Sequence, residues 1–372
     1  MTEKIQNRPY QTRVIDKVMA AIEEGHQNIL VCSPTGSGKT IMAHEVARRL
    51  YEEKQWKYCW TVMRKVLVEQ AKWENEDKFG LTSGTYMSTF ARAEDYPRDV
   101  ELLIEDEAQH SASDTSTKLY SIMKPKVHLA FTATPFRSDR KKLCFSKFIF
   151  DAGIRQLVDE KWLSAFHHYA FPEEWSPENV SQMYLNDQER WGKSVIFFLR
   201  LADCHKCKAL LEQGGVPCEV VEGGSVSQQE AAIEAFEKGE LKVLINVFVL
   251  TEGFDAPDLK TVFCRPGSRA PTVQMCGRAL RKHPDKPFAQ IVQALTTKYP
   301  FTEEASAERS FTLKDKVWVD TQYNEKALSQ VRLVVARSML HTKEAPMPDY
   351  IKKKMAKVRP WRRFGNQDNQ GF

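Results

Sequence analysis

The sequence lacks any long apolar run. Nothing in its 372 residues approaches the roughly 18 consecutive apolar positions that span a bilayer, and the opening stretch MTEKIQNRPY carries no apolar signal segment. The expectation is a cytoplasmic protein with no membrane partner. It also lacks a disulfide framework. Its eight cysteines (Cys32, Cys59, Cys144, Cys204, Cys207, Cys218, Cys264, Cys276) follow no framework spacing. Several sit inside apolar runs such as NILVC and TVFC, where a free thiol behaves as a small hydrophobe, as in a reducing compartment. A second C-x-x-C pair is missing too, so CHKC (204–207) is read as helix packing and not as a zinc site. His128, His167 and His168 show no ligand spacing either. Finally, charge of one sign is scarce. The 54 basic and 49 acidic side chains leave a net charge of +5, too small by itself to argue for a nucleic-acid partner.

What is present is alternation. The chain is long for one core, which implies two domains of ordinary size. In the first half, NILVC (28–32) reads as a buried strand and KTIMAHEVARRLYEE as the helix after it. YCWTVM, TYMSTF, VELLIE and VHLAFTA continue the strands, and KVLVEQAKWE is a second helix. Strands alternating with helices mean a parallel sheet covered on both faces. The pattern restarts at KSVIFFL (193–199) and runs through VPCEVVE, LKVLINV, LKTVFCR and FAQIVQ, with helices between. The stretch between, FPEEWSPENVSQMYLNDQERWG, has two prolines and little apolar periodicity, and reads as a linker. The expected boundaries are a first lobe over 1–167, a linker over 168–192, a second lobe over 193–310 and an extension over 311–372. The extension ends in IKKKMAKVRPWRRF (351–364), basic with interleaved aromatics. It is either a solvated tail or a phosphate-binding arm with Trp361 or Phe364 able to stack on bases.

Three segments carry chemistry in the first half. SPTGSGKT (33–40) follows a strand and opens a helix. Glycines there let backbone N–H groups curl around phosphate oxygens, and the helix N-terminus adds partial positive charge. Lys39 would reach the β and γ phosphates and the Thr40 hydroxyl would ligate Mg²⁺. Ser33 stands where the pattern usually has its first glycine. IEDEAQH (104–110) lies at the end of another buried strand. Parallel strands deliver their C-terminal ends to one edge, so both segments arrive at one crevice. Two adjacent acids are ordinarily a solvated turn. Here an apolar strand aims them at a phosphate loop, so Asp106 is read as the metal-side acid and Glu107 as the one that orients water. FTATPFRSD (131–139) is a third strand end, with hydroxyls on Thr132 and Thr134. In the second half, Arg278 and Arg281 are three apart in QMCGRALR, so one helical face would present both. They are either a surface charge pair or fingers reaching a γ-phosphate.

Taken in order, these segments resemble superfamily 2 helicases of the DEAD/DEAH-like type with a TATP third motif. That group holds repair-type DNA helicases, phage recombination helicases and the translocating subunits of restriction enzymes. The resemblance covers residues 5–295. It implies an α/β fold of two tandem RecA-like parallel-sheet lobes with an ATP cleft between them, plus a short basic C-terminal extension. RPYQ (8–11) resembles the entry motif, placing Arg8 at the nucleotide and Gln11 on the adenine edge. Pro34, Thr35, Gly36, Ser37, Gly38, Lys39 and Thr40 match the phosphate loop, and Gly253, Asp255 and Gln274 match further nucleotide positions. TVMRKVLVEQ, with Arg64, and TYMSTFAR, with Thr89, resemble nucleic-acid motifs; Thr134, Arg137 and Thr251 join them by the same carry-over.

The implied activity is a nucleic-acid-stimulated ATPase using ATP and Mg²⁺, with Lys39, Asp106, Glu107, Arg278 and Arg281 as its catalytic set. DNA is the favoured partner and RNA stays open. A duplex translocase or annealing factor without unwinding, or a motor subunit of a larger assembly, fits the same residues. Departures from the pattern are an RPG (265–267) in place of Arg-Pro-Thr, a QIVQ (290–293) ending in Gln where Asp is common, and Gln109 in the name-giving motif. Gln109 is expected to link the ATP site to the second lobe at Gln274. No nuclease signature follows, which argues against a complete restriction subunit.

Overall fold

The structure, a computed structural model, describes residues 6–63, 65–108, 114–133, 145–224, 226–247 and 256–321. The basic stretch 351–364 lies outside them. In the first half the elements are α1 (Pro9–Glu23), β1 (Asn28–Cys32), α2 (Lys39–Lys54), β2 (Tyr58–Val62), α3 (Lys65–Lys78), β3 (Gly84–Ser88), β4 (Leu102–Glu105), α4 (Asp114–Met123), β5 (Val127–Thr132), β6 (Lys147–Phe150) and α5 (Ile154–Asp159). The strands form one sheet in the order β3-β2-β4-β5-β1-β6, with every pairing parallel. β2, β4 and β5 are buried along their whole length, which is why they read as continuous apolar runs.

On one face of this sheet, α1, α2 and α3 pack through Val14, Val18, Val46, Leu50, Val68 and Ala71. That core includes a polar group: His44 stacks on Trp60 (ring centroids 4.5 Å apart) and bonds the Tyr86 hydroxyl through Nε2 at 3.0 Å. Burial pulls His44 down to about 4, so it is neutral in the fold. On the other face α4 packs through Leu119 and Met123.

The second half contains β7 (Phe166–Phe171), α6 (Pro177–Asn186), α7 (Gln188–Trp191), β8 (Ser194–Phe197), α8 (Leu201–Gln213), β9 (Cys218–Val221), α9 (Val226–Glu237), β10 (Val243–Asn246), β11 (Thr261–Phe263), α10 (Arg269–Gly277), β12 (Ala289–Ala294), β13 (Arg309–Lys314) and β14 (Val317–Asp320). Its sheet order is β14-β13-β7-β12-β11-β8-β10-β9, parallel except for the β13–β14 hairpin. Two parallel-dominated α/β sheets in tandem are the fold class that the sequence implies.

The expected linker over 168–192 has regular structure. β7 is an interior strand of the second sheet, paired to β12 and β13, and α6 and α7 follow it. The prolines misled: Pro177 occupies the first turn of α6, where its missing N–H costs nothing, and the Ser176 hydroxyl caps the helix by accepting from Asn179 N–H at 3.2 Å. Likewise the extension expected from 311 begins inside β13, so the second sheet continues through Asp320. Cys204 and Cys207 lie fully buried in α8, packed in the core with Trp191 and Phe198, as helix packing requires. No described helix is long and apolar enough to cross a membrane.

Candidate active site

Because β5 lies between β1 and β4, the segments after Cys32, Thr132 and Glu105 leave the sheet side by side at one edge. Backbone bonds fix them there: Ser33 N–H donates to the Thr132 carbonyl at 2.9 Å, and Asp106 N–H to the Thr61 carbonyl at 3.1 Å. Over this edge lies a cavity of about 190 Å³. Thr35, Gly36, Gly38, Lys39 and Thr40 line it from the phosphate loop, Asp106 and Glu107 from the end of β4, and Arg278 and Arg281 from the second half.

The phosphate loop is shaped by its glycines and braced from behind. Gly36 and Gly38 have φ of +80° and +81°, the left-handed region that favours glycine. At 38 a side chain would also displace the Gln11 amide, since a Cβ would stand 2.4 Å from Gln11 Nε2. Gln11 Nε2 donates to the Ser37 carbonyl at 2.9 Å, and the Tyr10 hydroxyl donates to the same carbonyl at 2.6 Å. Gln11 Oε1 accepts from Arg8 N–H at 2.9 Å, which also caps α1. The 5%-exposed Gln11 is thus a loop brace, and reading an adenine edge would have to use the remaining N–H and lone pair of its amide. Ser33, the departure from the glycine pattern, bonds the buried Ser37 hydroxyl at 2.7 Å. Pro34 and Ser37 themselves are buried in the loop, and α2 opens at Lys39 with its N-terminal dipole toward the cavity.

The acids are held by backbone geometry. Glu107 has φ +56°, a left-handed conformation that costs a non-glycine residue about 1–2 kcal/mol. Its N–H donates to Asp106 Oδ1 at 2.9 Å. Strain of this kind gathers at functional sites. Behind the acids a polar cluster that the sequence did not announce ties β4, β5 and α4 together. Glu105 Oε2 lies 3.0 Å from His128 Nε2, both nearly fully buried, and the Tyr120 hydroxyl meets the same imidazole.

The arginines differ from expectation in their backbone. α10 ends at Gly277, residues 278–280 form a 3₁₀ turn, and Arg281 is extended (φ −63°, ψ 141°). One helical face therefore does not present both, yet the short turn brings both to the same cavity. The approach is close: a Cβ on Gly277 would stand 3.0 Å from Thr35 Cβ, and one on Gly36 3.2 Å from Arg281 Cγ. Burial pulls Arg281 down to about 10, with Glu74 opposing the shift, so it stays charged at neutral pH.

The helix α3 is the contributor that the sequence reading missed. Leu67, Gln70, Ala71 and Glu74 line the cavity. Their spacing is that of one helix face, and the polar pair on an inward face was the available signal. Gln274 is half-exposed on α10 and does not line the cavity. Arg8 does not line it either; its guanidinium lies over the Trp162 ring at 5.5 Å and donates to the Tyr10 hydroxyl at 3.3 Å. Thr89 is buried, its carbonyl accepting from the Tyr96 hydroxyl at 2.9 Å. Arg64, Gln109, Thr134, Arg137, Thr251, Gly253 and Asp255 lie outside the described residues. For a metal, the Thr40 hydroxyl and Asp106 carboxylate supply hard oxygens on one cavity wall, a donor set that suits Mg²⁺.

Residues 4–94 match the family of type III restriction enzyme res subunits, and residues 175–283 match the helicase conserved C-terminal domain. IRC3 of Saccharomyces cerevisiae, an ATP-dependent helicase candidate, is 24% identical over 349 residues, covering 77% of this chain and 51% of its own length. A 51.5 kDa protein of a Lactococcus phage is 25% identical over 268 residues, covering 64% of this chain and 59% of its own. The chain thus spans about half the length of these relatives. Among solved structures, the ATP-dependent Type ISP restriction-modification enzyme LlaBIII bound to DNA superposes with a TM-score of 0.58 at 18% identity, over 81% of this chain and 28% of that one. Mss116p bound to ssRNA and AMP-PNP gives 0.58 at 14% identity, over 77% and 69%. The two matched domains in tandem, on this fold, make the chain a member of the superfamily 2 helicases. Helicase domains of this kind in general imply ATP hydrolysis.

Proposed function

We propose that this chain hydrolyses ATP and couples turnover to movement on, or unwinding of, DNA. The observation that carries the reading is the shared cavity: a phosphate loop and two acids from the first half face two arginines from the second. Lys39 and the α2 N-terminus would hold the β and γ phosphates. Glu107, fixed by its left-handed backbone, would orient the attacking water, and Arg278 and Arg281 would balance charge developing on the transferred phosphoryl group. Thr40 and Asp106 would hold Mg²⁺, which when bound neutralises charge on the phosphate oxygens. Because the arginines come from the other half, the site is complete only when the halves meet. Hydrolysis then alters how each half grips a phosphate backbone, with contacts tolerant of sequence and sensitive to salt.

DNA is preferred on the TATP segment, and an ATPase assay with single-stranded, duplex and forked DNA and with RNA tests the preference. Stimulation by single-stranded or forked DNA, with displacement of a paired strand, is the expected result. Stimulation by duplex without displacement would favour a translocase or annealing factor, and stimulation by RNA alone would overturn the DNA assignment. Absence of ATP hydrolysis with every substrate would overturn the reading as a whole.

A further inference from the structure

Just after the arginines lies a buried charge that this chemistry leaves unused. His283-Pro284-Asp285-Lys286 is a tight turn: Lys286 N–H donates to the His283 carbonyl at 3.1 Å, and proline holds the second position, where its fixed φ is suited. The turn sends the Lys286 side chain inward, where it is 6% exposed. Its ammonium donates to three backbone carbonyls, Pro257 at 2.7 Å, Leu259 at 3.0 Å and Ala279 at 2.8 Å. An ammonium has three N–H groups, and all three are used. A buried charge is costly unless hydrogen-bonded, and carbonyls stripped of a donor are costly too, so cation and acceptors are mutually required.

The acceptors belong to two separate segments of the chain. Ala279 sits between Arg278 and Arg281. Pro257 and Leu259 lead out of 249–255, the stretch that carries Thr251, Gly253 and Asp255. Burial pulls Lys286 down to about 8; Asp258, itself paired to Lys193 at 2.6 Å, favours its charge and Arg281 opposes it, so the ammonium is still mostly charged at pH 7. The adjoining Leu280 carbonyl is also tied, accepting from Ser164 N–H at 2.7 Å. The turn bearing the arginines is therefore anchored at two successive carbonyls.

We propose that Lys286 is a positioning residue that fastens the turn bearing Arg278 and Arg281 to the Pro257–Leu259 segment and so sets where both arginines stand in the cavity. This rests on the reading of those arginines as phosphate ligands. Lys286→Met and Lys286→Arg are compared with wild type in nucleic-acid-stimulated ATPase, each alone and combined with Arg281→Ala. Lys286→Met is expected to lower stimulated kcat about tenfold or more while KM for ATP stays within about twofold. Lys286→Arg, which keeps charge and donors, should recover part of the loss. In the Arg281→Ala background, Lys286→Met should cost less than it does alone, because part of its effect runs through that arginine. Unchanged kcat, a loss that simply adds to that of Arg281→Ala, or failure of both lysine variants to fold would overturn the proposal and leave Lys286 a packing element. If Arg281→Ala alone is as active as wild type, or wild type is inactive, the arginine reading fails, and that failure is visible without any lysine variant.

Discussion

Gln11 donates its side-chain amide to the Ser37 carbonyl at 2.9 Å, in the space that a Cβ on residue 38 would need. A residue of α1 thereby sets the curvature of the loop that would hold phosphate. Gln11→Ala is expected to raise the Kd for nucleotide roughly tenfold, the worth of about one net hydrogen bond. Gly38→Ala should weaken nucleotide binding more than Gln11→Ala does, since it meets a positive φ and also displaces the Gln11 amide. Titration with a fluorescent ATP analogue reads both, and tight binding by Gly38→Ala would contradict the loop geometry.

Gly277 lies close against the phosphate loop: a Cβ there would stand 3.0 Å from Thr35 Cβ. Gly277→Ala should hold the arginine turn off the phosphate loop. Steady-state kinetics should show kcat falling and ATP binding largely kept, because the loop itself is intact.

Glu107→Gln removes the carboxylate assigned to water but not the side-chain volume. Turnover should fall about 10²–10⁴-fold, the usual worth of a general base. Nucleotide binding by calorimetry should persist. Retained turnover would move the role elsewhere.

Glu74 brings an anion to a cavity proposed for phosphates, and it is paired to Lys78 at 2.8 Å. Glu74→Gln should relieve repulsion and lower KM for ATP roughly threefold, an effect that shrinks as salt rises. A higher KM would instead make Glu74 a direct ligand of the nucleotide or its metal.

His44 predicts acid sensitivity of the first sheet. Its pKa is depressed by burial from 6.5 to about 4. The unfolded chain therefore takes up a proton that the folded one refuses, so stability present above pH 6.5 is lost as pH falls toward 4. The loss from this group is on the order of 3 kcal/mol across that window. Urea unfolding at pH 7.5 and pH 5 should show a smaller difference for His44→Phe than for wild type.

Much of this architecture is legible in the chain, and the illegible parts share a cause. NILVC is β1 to the residue, because the buried centre of a parallel strand, here Ile29 to Val31, leaves an uninterrupted apolar run. β7 was hidden because FHHYAF puts two imidazoles inside a sheet. His167 is stacked on Phe288 and His168 bonds the Gln293 amide at 3.1 Å, with Phe301 N–H on the same oxygen at 2.8 Å. That also gives a reason for the glutamine that ends QIVQ, since its amide oxygen serves two partners that no local pattern brings together. The phosphate loop and paired acids could be read because their chemistry is local. Gln70, Glu74 and Lys286 could not, because a polar residue on a helix or in a turn looks solvated until a distant segment closes over it.

The order of the strands also has a consequence for how the chain is made. Every described strand of the first sheet has been synthesised once Phe150 leaves the ribosome, whereas β7 must wait for β12 and β13, its neighbours among the described residues, which begin at Ala289 and Arg309. The first lobe can therefore settle during translation while an aromatic-rich strand stays unsatisfied behind it. For most of the second lobe's synthesis the nascent chain carries an open seam, the stretch most exposed to mispairing and most in need of protection by chaperones.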